Sequence, residues 1–373
     1  MRLCQVKEGP LARKIRRSTF YHRFRHLVLP PKEPFVVDDR DQITADAPPV
    51  LIEWPPSTCK PTVGVIQDYG DAPRWTKYCR FLEANAIPHH IYDIHARDWC
   101  SAAAAFDVIV GVDSCELFSL DEIRRKYYVL ERHLHKKCYP RYEHVLLYED
   151  KLLEAYLSQV YGLAFVRTYI YTCRREALAA AAELTYPLVS KRVPGAGSLG
   201  VELVRNYSQC RSIIQEAFSP CGRRTHWPYA TQKGYVYFQD YVPNDGYDLR
   251  VIVVGTRMFG YYRKVPKGEF RASGMGLVEK RALPAEALRI AERVYGVLQS
   301  PMLVVDMLKD LEGQYHIIEI SPFCKIETPE QLHVRGIPGY YVARGGSYVF
   351  EEGRFWVHEL ALKEFFGREY GAR

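Results

Sequence analysis

The sequence predicts an α/β (α+β) fold built from several modules, and three observations support this. β-Branched runs alternate with a helical pattern after Thr62, a glycine-rich turn joins two apolar runs at 187–204, and an amphipathic helical pattern precedes two further apolar runs in the last third. The chain has 373 residues, 47% of them apolar, which is enough for two or three modules with a substantial core. No run of eighteen apolar residues occurs, and no apolar region follows the basic start, so we expect a cytoplasmic protein.

Residues 1–60 are rich in proline and charge and predict an extended arm with little core of its own. The formal net charge is +7, and Glu8 is the only acid among the first 26 residues. Such a charged run is typical of a solvated arm, but it also suits an anionic lipid surface or a polyanionic substrate. No nucleic-acid recognition motif accompanies it, so we expect no nucleic-acid partner. None of the ten cysteines forms C-x-x-C, which favours reduced thiols.

Residues 61–144 predict a small α/β module. The runs TVGVIQDYG, HHIYDI and FDVIVGVD read as strands. RWTKYCRFLEANAI reads as a helix with one apolar face, formed by Trp75, Tyr78, Phe81, Leu82 and Ala86. Because strands and a helix alternate, we expect a parallel sheet.

The next segment predicts a helix followed by a glycine-rich hairpin. DKLLEAYLSQVYG is a helical pattern with Asp150 as its N-cap and with Leu153 and Tyr156 facing inward. PLVSKRVPGAGSLGVELV places two β runs around a glycine-rich turn that is not a Walker A loop, since GK[ST] is missing. Backbone N–H groups of such a turn can bind phosphate oxygens, with Lys191 adding a positive charge. A plain glycine hairpin is the alternative.

Two carboxylates mark the predicted hairpin of the C-terminal third. MLVVDML and YHIIEIS are joined by KDLEGQ, and pairing them puts Asp306 roughly opposite Glu319, with Ser321 on the same face as Glu319. Two facing carboxylates repel one another, whereas Mg²⁺ binds hard oxygen ligands of this kind. Edge-strand carboxylates that point at solvent are the alternative.

Six segments in this order resemble the ATP-grasp family, in the branch of the D-alanine–D-alanine ligases and the ribosomal-protein glutamate ligases. The segments, within about residues 145–325, are Asp150-Lys151, VSKRVPGAGSLG, YFQDYV, DLRVIVVG, VVDML and IIEIS. The resemblance implies two α+β subdomains that clasp a nucleotide, preceded by a small parallel-sheet domain. The predicted boundaries are 1–60 for the arm, 61–144 for the preceding domain, 145–235 for the central subdomain and 236–373 for the C-terminal subdomain.

The resemblance also implies site residues, with ATP and Mg²⁺ as cofactors. Lys151 and Lys191 would hold the phosphates, and a loop with Gly195, Gly197 and Ser198 would close over them. The adenine slot would be lined by Gln239, Asp240, Tyr241 and Val242, with Asp248 near the ribose or the acyl acceptor. Arg250, Arg263 and Arg271 would stabilise the transferring phosphoryl group, and Mg²⁺ would be bound by Asp306, Glu319 and Ser321.

Three positions depart from the commonest family pattern. Gln239 stands where many members have Glu, and Ser273 and Ser321 stand where many have Asn. The stretches FRASGMG and EIS, with the tail IPGYYVARGGSYVFEEGRFWVHEL, resemble a subgroup linked to bacterial surface-polysaccharide pathways, in which these serines are normal. The number of metal ions stays open, because a hydroxyl is a weaker ligand than an amide carbonyl.

The resemblance implies an ADP-forming ligase that joins a carboxylate to an amine through an acyl phosphate. A sugar acid, an amino sugar or an amino acid fits as substrate. The sequence does not predict the oligomeric state. Two alternatives stay open: an ATP-grasp kinase that phosphorylates a hydroxyl, and a nucleotide-binding scaffold without turnover.

Overall fold

The computed structural model describes residues 35–43, 47–113, 117–193, 200–225, 230–266, 269–270 and 277–373. These residues fall into two compact units. The smaller unit contains Glu149–Ala155 and Phe165–Pro243, and the larger unit contains Pro34–Tyr148, Tyr156–Ala164 and Asn244–Arg373. Within the described ranges, no helix has both the length and the apolar character needed to cross a membrane.

The larger unit begins with a four-stranded parallel sheet in the order β2-β1-β3-β4. Its elements are α1 (Arg40–Ile43), β1 (Val63–Val65), α2 (Trp75–Ala84), β2 (His89–Ile91), α3 (Trp99–Ala102), β3 (Val108–Val110), α4 (Leu117–Arg132), β4 (Lys137–Tyr139) and α5 (Tyr142–Leu147). β1 and β3 are buried along their whole length, as expected for central parallel strands covered on both faces. The predicted parallel sheet is confirmed, and Trp75, Tyr78, Phe81 and Leu82 of α2 are buried as expected. The prediction was wrong for Ala86, which is exposed because α2 ends before it, at Ala84.

The smaller unit is an antiparallel sheet in the order β5-β10-β6-β7, with a separate two-stranded β8–β9 ladder. Its elements are α6 (Lys151–Tyr161, which continues into the larger unit), β5 (Thr168–Tyr171), α7 (Arg174–Ala181), β6 (Leu188–Lys191), β7 (Val201–Val204), α8 (Tyr207–Ala217), β8 (Arg223–Arg224), β9 (Thr231–Gln232) and β10 (Val236–Asp240). Buried residues of α7 and α8 pack with Leu188, Val204 and Phe238, so both helices cover one face of the sheet.

The start of α6 matches the prediction, whereas one residue of its predicted inner face does not. The Asp150 Oδ1 accepts the Leu153 N–H at 3.0 Å, which confirms Asp150 as the N-cap. Tyr156 was expected to face inward, but it is 46% exposed, so that prediction is wrong. An apolar stripe wider than the covered face leaves one member outside.

The rest of the larger unit is built on a large antiparallel sheet in the order β15-β14-β11-β12-β17-β16, with β13 paired to β12 and β18 to β17. Its elements are β11 (Asn244–Val254), β12 (Arg257–Lys264), β13 (Val278–Glu279), α9 (Ala285–Leu298), β14 (Met302–Asp310), β15 (Tyr315–Ser321), β16 (His333–Val334), β17 (Ile337–Arg344), β18 (Ser347–Glu352) and α10 (Val357–Tyr370). Asp306 lies opposite Glu319, which confirms the predicted hairpin and its register.

The C-terminal helix α10 is a core element of the larger unit. Phe366 stacks on Phe81 of α2 with the ring centroids 6.0 Å apart. The Glu359 carboxylate, which is fully buried, accepts the Val50 N–H at 2.9 Å and an Arg80 N–H at 2.7 Å. Glu359 therefore attaches part of the segment predicted as an arm to α10 and α2.

Candidate functional site

The predicted site residues fall in both units, and those of the larger unit meet on four neighbouring strands. In β11, Asp248 and Arg250 are two residues apart, so their side chains point to the same face of the sheet. Asp248 pairs with Arg263 of β12, and Arg250 pairs with Asp306 of β14. Because Asp306 also lies opposite Glu319 of β15, the sheet register brings all five charged residues together.

Four of these residues form one ionic network, which we call the Asp306 cluster (Asp248, Arg250, Arg263 and Asp306). Arg250 donates through Nε and Nη2 to the two Asp306 carboxylate oxygens, both at 2.7 Å. The Arg263 Nη2 lies 2.7 Å from Asp306 Oδ2, and its Nε donates to Asp248 Oδ1 at 2.5 Å. Bidentate pairs of this kind fix both partners and strengthen the hydrogen bonds.

The pKa values of the two aspartates in the Asp306 cluster are shifted in opposite directions. Burial opposes ionisation of Asp306, but Arg250 and Arg263 outweigh it and lower the pKa of this carboxyl below the ordinary value. Burial raises the pKa of Asp248 to about 6, against the opposing charge of Arg263, and the neighbouring Asp306 adds to the rise. The cluster therefore keeps Asp306 ionised and fixes two guanidinium groups beside it.

Asp306, Glu319 and Ser321 offer the hard oxygen ligands that Mg²⁺ prefers. The register shift after Asp306 leaves Met307 opposite Ile317 and keeps Asp306 facing Glu319. The Ser321 hydroxyl donates to Phe323 O at 2.6 Å, a bond that does not use its oxygen lone pairs. Among the described residues, no three His, Cys, Asp and Glu side chains group as metal ligands. The donor set fits a Mg²⁺ ion bound by two carboxylates, with its remaining ligands from Ser321, water or phosphate.

In the smaller unit, Lys191 and Gln239 lie on the neighbouring strands β6 and β10. Lys191 is only 7% exposed, and such a buried position is unusual for a lysine. The Gln239 Nε2 donates to Thr168 Oγ1 at 3.0 Å and to Tyr237 OH at 2.9 Å. A glutamate could not donate these bonds, which explains why glutamine suits this position.

Lys151 is the first residue of α6 and is also buried. Its Nζ lies 3.4 Å from Glu149 Oε2. Glu149 has a φ of 57°, in the left-handed region that residues with a β-carbon seldom adopt. The turn before α6 is therefore strained, and it brings a carboxylate beside the predicted phosphate-binding lysine.

The remaining predicted residues are only partly described. Asp240 ends β10 and donates its N–H to Arg167 O at 3.0 Å, and Tyr241 and Val242 follow it. The predicted residues Gly195, Gly197, Ser198 and Arg271 lie outside the described residues.

Two charged residues that the sequence analysis did not predict lie on the face of the β6–β7 hairpin away from the Lys191 side chain. Arg223 of β8 and Glu202 of β7 form an ion pair, and Glu202 lies opposite Ser190, the residue before Lys191. Glu202 could have been predicted from the hairpin register, because that register places its carboxylate opposite the strand that carries Lys191. Nothing local indicated Arg223, which comes from a separate ladder.

Comparisons with known proteins agree with this architecture. Residues 166–333 match the family model described as the RimK-like ATP-grasp domain. The α-aminoadipate–LysW ligase LysX of Saccharolobus solfataricus is 21% identical over 300 residues, which cover 76% of this chain and 99% of that protein.

A solved structure shows the same fold at low sequence identity. The D-cycloserine synthetase DcsG has a TM-score of 0.51 and 15% identity, over 71% of this chain and 92% of that chain. A RimK-domain ATP-grasp protein of Sphaerobacter thermophilus has a TM-score of 0.47 and 15% identity, over 69% and 90%. The ATP-grasp fold predicted from the sequence is therefore confirmed.

Proposed function

We propose that this chain is an ATP- and Mg²⁺-dependent ligase that joins a carboxylate to an amine and releases ADP. The observation that carries this proposal is the Asp306 cluster, in which two arginines and two aspartates meet beside Glu319. Phosphoryl transfer needs such positioning and neutralisation of charge more than covalent help from the protein. The matched ATP-grasp domain and the ligase named among the relatives support the same activity.

In this proposal, each part of ATP is bound by its own set of residues. Lys151 and Lys191 contact the phosphates, together with Gly195, Gly197 and Ser198. The adenosine part is bound by Gln239, Asp240, Tyr241, Val242 and Asp248. Buried lysines supply concentrated positive charge, because few water molecules compete for them. Their burial supports the phosphate-binding role.

Asp306, Glu319 and Ser321 would hold Mg²⁺, which neutralises charge on the phosphates when bound. Arg250, Arg263 and Arg271 stabilise the negative charge of the transferring group. A substrate carboxylate oxygen attacks the γ-phosphorus, the bond to the bridging oxygen breaks, and ADP leaves. The amine nitrogen then attacks the acyl carbon, forms the C–N bond, gives up a proton to solvent and expels inorganic phosphate.

We further propose a sugar-type or amino-acid-type substrate in surface-polysaccharide synthesis, in the cytoplasm. FRASGMG, EIS and the C-terminal tail of this sequence support that substrate class. The basic first 26 residues suit an acidic glycan or an anionic surface as a partner.

The test is to measure ADP and inorganic phosphate release with Mg²⁺ and ATP across a panel of sugar acids, amino acids and amines. A ligase releases both products and depends on an acid and an amine together. We expect Lys191→Ala to lower turnover at least about 100-fold, because the phosphates lose a buried positive charge. Lys233→Ala is the matched control, since Lys233 is an exposed lysine of the same unit.

Other outcomes contradict the proposal. ADP release with a hydroxyl acceptor and without phosphate release indicates a kinase. ATP binding without turnover on any acid and amine pair indicates a scaffold, and full activity in Lys191→Ala removes that lysine from the site.

A further inference from the structure

The hairpin that carries Lys191 has a second charged face. In the β6–β7 ladder, Ser190 pairs with Glu202, and Lys191 pairs with Val201. Successive residues of a strand point to opposite faces, so Ser190 and Glu202 lie on the face away from the Lys191 side chain. Any group bound to this face acts on Lys191 only through the backbone.

Four residues form an ionic network on that face, which we call the Arg223 cluster (Ser190, Arg192, Glu202 and Arg223). The Arg223 Nη1 donates to Ser190 Oγ at 2.8 Å, and its Nη2 donates to Glu202 Oε2. Arg192 donates to the other Glu202 oxygen, Oε1. Arg223 therefore bonds to both strands of the hairpin, and each carboxylate oxygen of Glu202 accepts a hydrogen bond from a different arginine.

The two arginines of the Arg223 cluster are buried at an electrostatic cost. The side chain of Arg223 is 1% exposed and that of Arg192 is 13% exposed. Burial lowers the pKa of both guanidinium groups to about 10. Buried ion pairs of this kind are weak stabilisers, and apolar residues of similar volume often stabilise a fold as well or better. The arrangement thus favours a role in holding geometry rather than in adding stability.

The geometry held here is the register of the hairpin. The Arg192 N–H donates to Gly200 O at 3.0 Å, which continues the ladder past Lys191. Gly200 has a φ of 83°, and a β-carbon there would lie 3.1 Å from the β-carbon of Arg192. A slip of one residue would turn Lys191 to the opposite face of the sheet.

We infer that Arg223 and Glu202 are positioning residues that fix the Lys191 side chain for phosphate binding. This inference rests on the proposed function, because it assigns the phosphates of ATP to Lys191. It predicts that damage to the Arg223 cluster weakens binding of the phosphates while the nucleoside contacts persist.

The experiment compares Mg²⁺-ATP, ADP and AMP binding by calorimetry for the wild type, Arg223→Met, Glu202→Gln and the double variant. We expect ATP to bind about tenfold more weakly in each single variant and AMP to bind within about twofold of the wild type. The double variant should lose no more than the worse single variant, because the two residues act as one unit. Arg211→Met, at an exposed arginine of α8, is the matched control and should bind like the wild type.

Each outcome decides the inference. If folded Glu202→Gln binds ATP like the wild type, or if all three nucleotides weaken equally, the positioning role is overturned. Should Arg223→Met fail to fold, Glu202→Gln decides alone, since Glu202 is 40% exposed and tolerates a neutral amide. If the wild type itself binds no ATP, the proposed function fails; wild-type binding with unchanged variants overturns this inference alone.

Discussion

Asp306 and Glu359 are both buried carboxylates of the larger unit, yet their pKa values shift in opposite directions. Asp306 is 4% exposed, and Arg250 and Arg263 lower its pKa against the effect of burial. Glu359 is 0% exposed, and burial raises its pKa even though Arg80 and the Val50 N–H oppose the rise. Two guanidinium groups, one of them bidentate, outweigh desolvation, whereas one does not.

The partners of the two carboxylates explain the difference. Those of Asp306 are arginine side chains from neighbouring strands, and they concentrate charge at one place on the sheet. Those of Glu359 include the backbone of residue 50, and Arg80 also donates to Ala47 O, so this group joins distant segments of the chain. A buried charge alone therefore does not identify a functional site, since the contacts of Glu359 are structural.

The largest effect should come from Asp306→Asn. We expect a loss of Mg²⁺-ATP turnover of about 10²–10³-fold, because the change removes a proposed metal ligand and the counter-charge of two arginines. Turnover is measured as ADP release with the substrates found in the panel. Asp310→Asn on the same strand is the control and should keep its activity. Wild-type turnover in a folded Asp306→Asn protein would contradict the role given to the Asp306 cluster.

A structural role for Glu359 predicts a smaller effect of a different kind for Arg80→Met. The change leaves a buried carboxylate without its guanidinium, so we expect the free energy of unfolding at pH 8 to fall by about 3 kcal/mol. Because the folded pKa of Glu359 is already raised, its stabilising contribution is present below about pH 4.5 and is lost as the pH rises through the folded pKa. The loss in Arg80→Met should therefore shrink at pH 5.

Urea denaturation at the two pH values measures this effect, with the exposed Arg125→Met as the control. ATP affinity of the folded variant should stay at the wild-type value. A change in affinity without a change in stability would mean that the Glu359 group belongs to the binding site after all.

The smallest effect concerns Glu131 of α4, a carboxylate held by the Tyr142 N–H at 2.8 Å. Burial raises its pKa to about 7, so its contribution to stability is present below about pH 4.5 and is lost as the pH rises through 7. Glu131→Gln keeps the acceptor and removes the charge. We expect it to raise stability by about 1–2 kcal/mol at pH 8, discounted for partial exposure, and less at pH 5.

Thermal unfolding at both pH values checks this expectation. Glu312→Gln, at an exposed glutamate in the turn between β14 and β15, should show no such gain. A destabilised Glu131→Gln protein at pH 8 would show that the carboxylate is stabilised by its surroundings, as Asp306 is.

Local sequence patterns were enough to predict much of the fold. Strand–helix alternation predicted the parallel sheet, and the short turn between two apolar runs predicted the Asp306–Glu319 pair, since a hairpin of known turn length has few registers. The same reasoning failed at Tyr156, because periodicity gives the direction of a side chain but not the width of the surface that covers it.

The sequence by itself determined which residues are opposite one another across short turns, and by resemblance it predicted which residues belong to a nucleotide site. Only the tertiary structure decided that Arg250 and Arg263 both bind Asp306, that Arg223 lies on the face of the hairpin away from Lys191, and that Glu359 joins α10 to Val50 and to Arg80 of α2. The physical reason is that hairpin register follows from nearby residues, whereas contacts between distant strands and helices depend on how whole elements bury their apolar faces together.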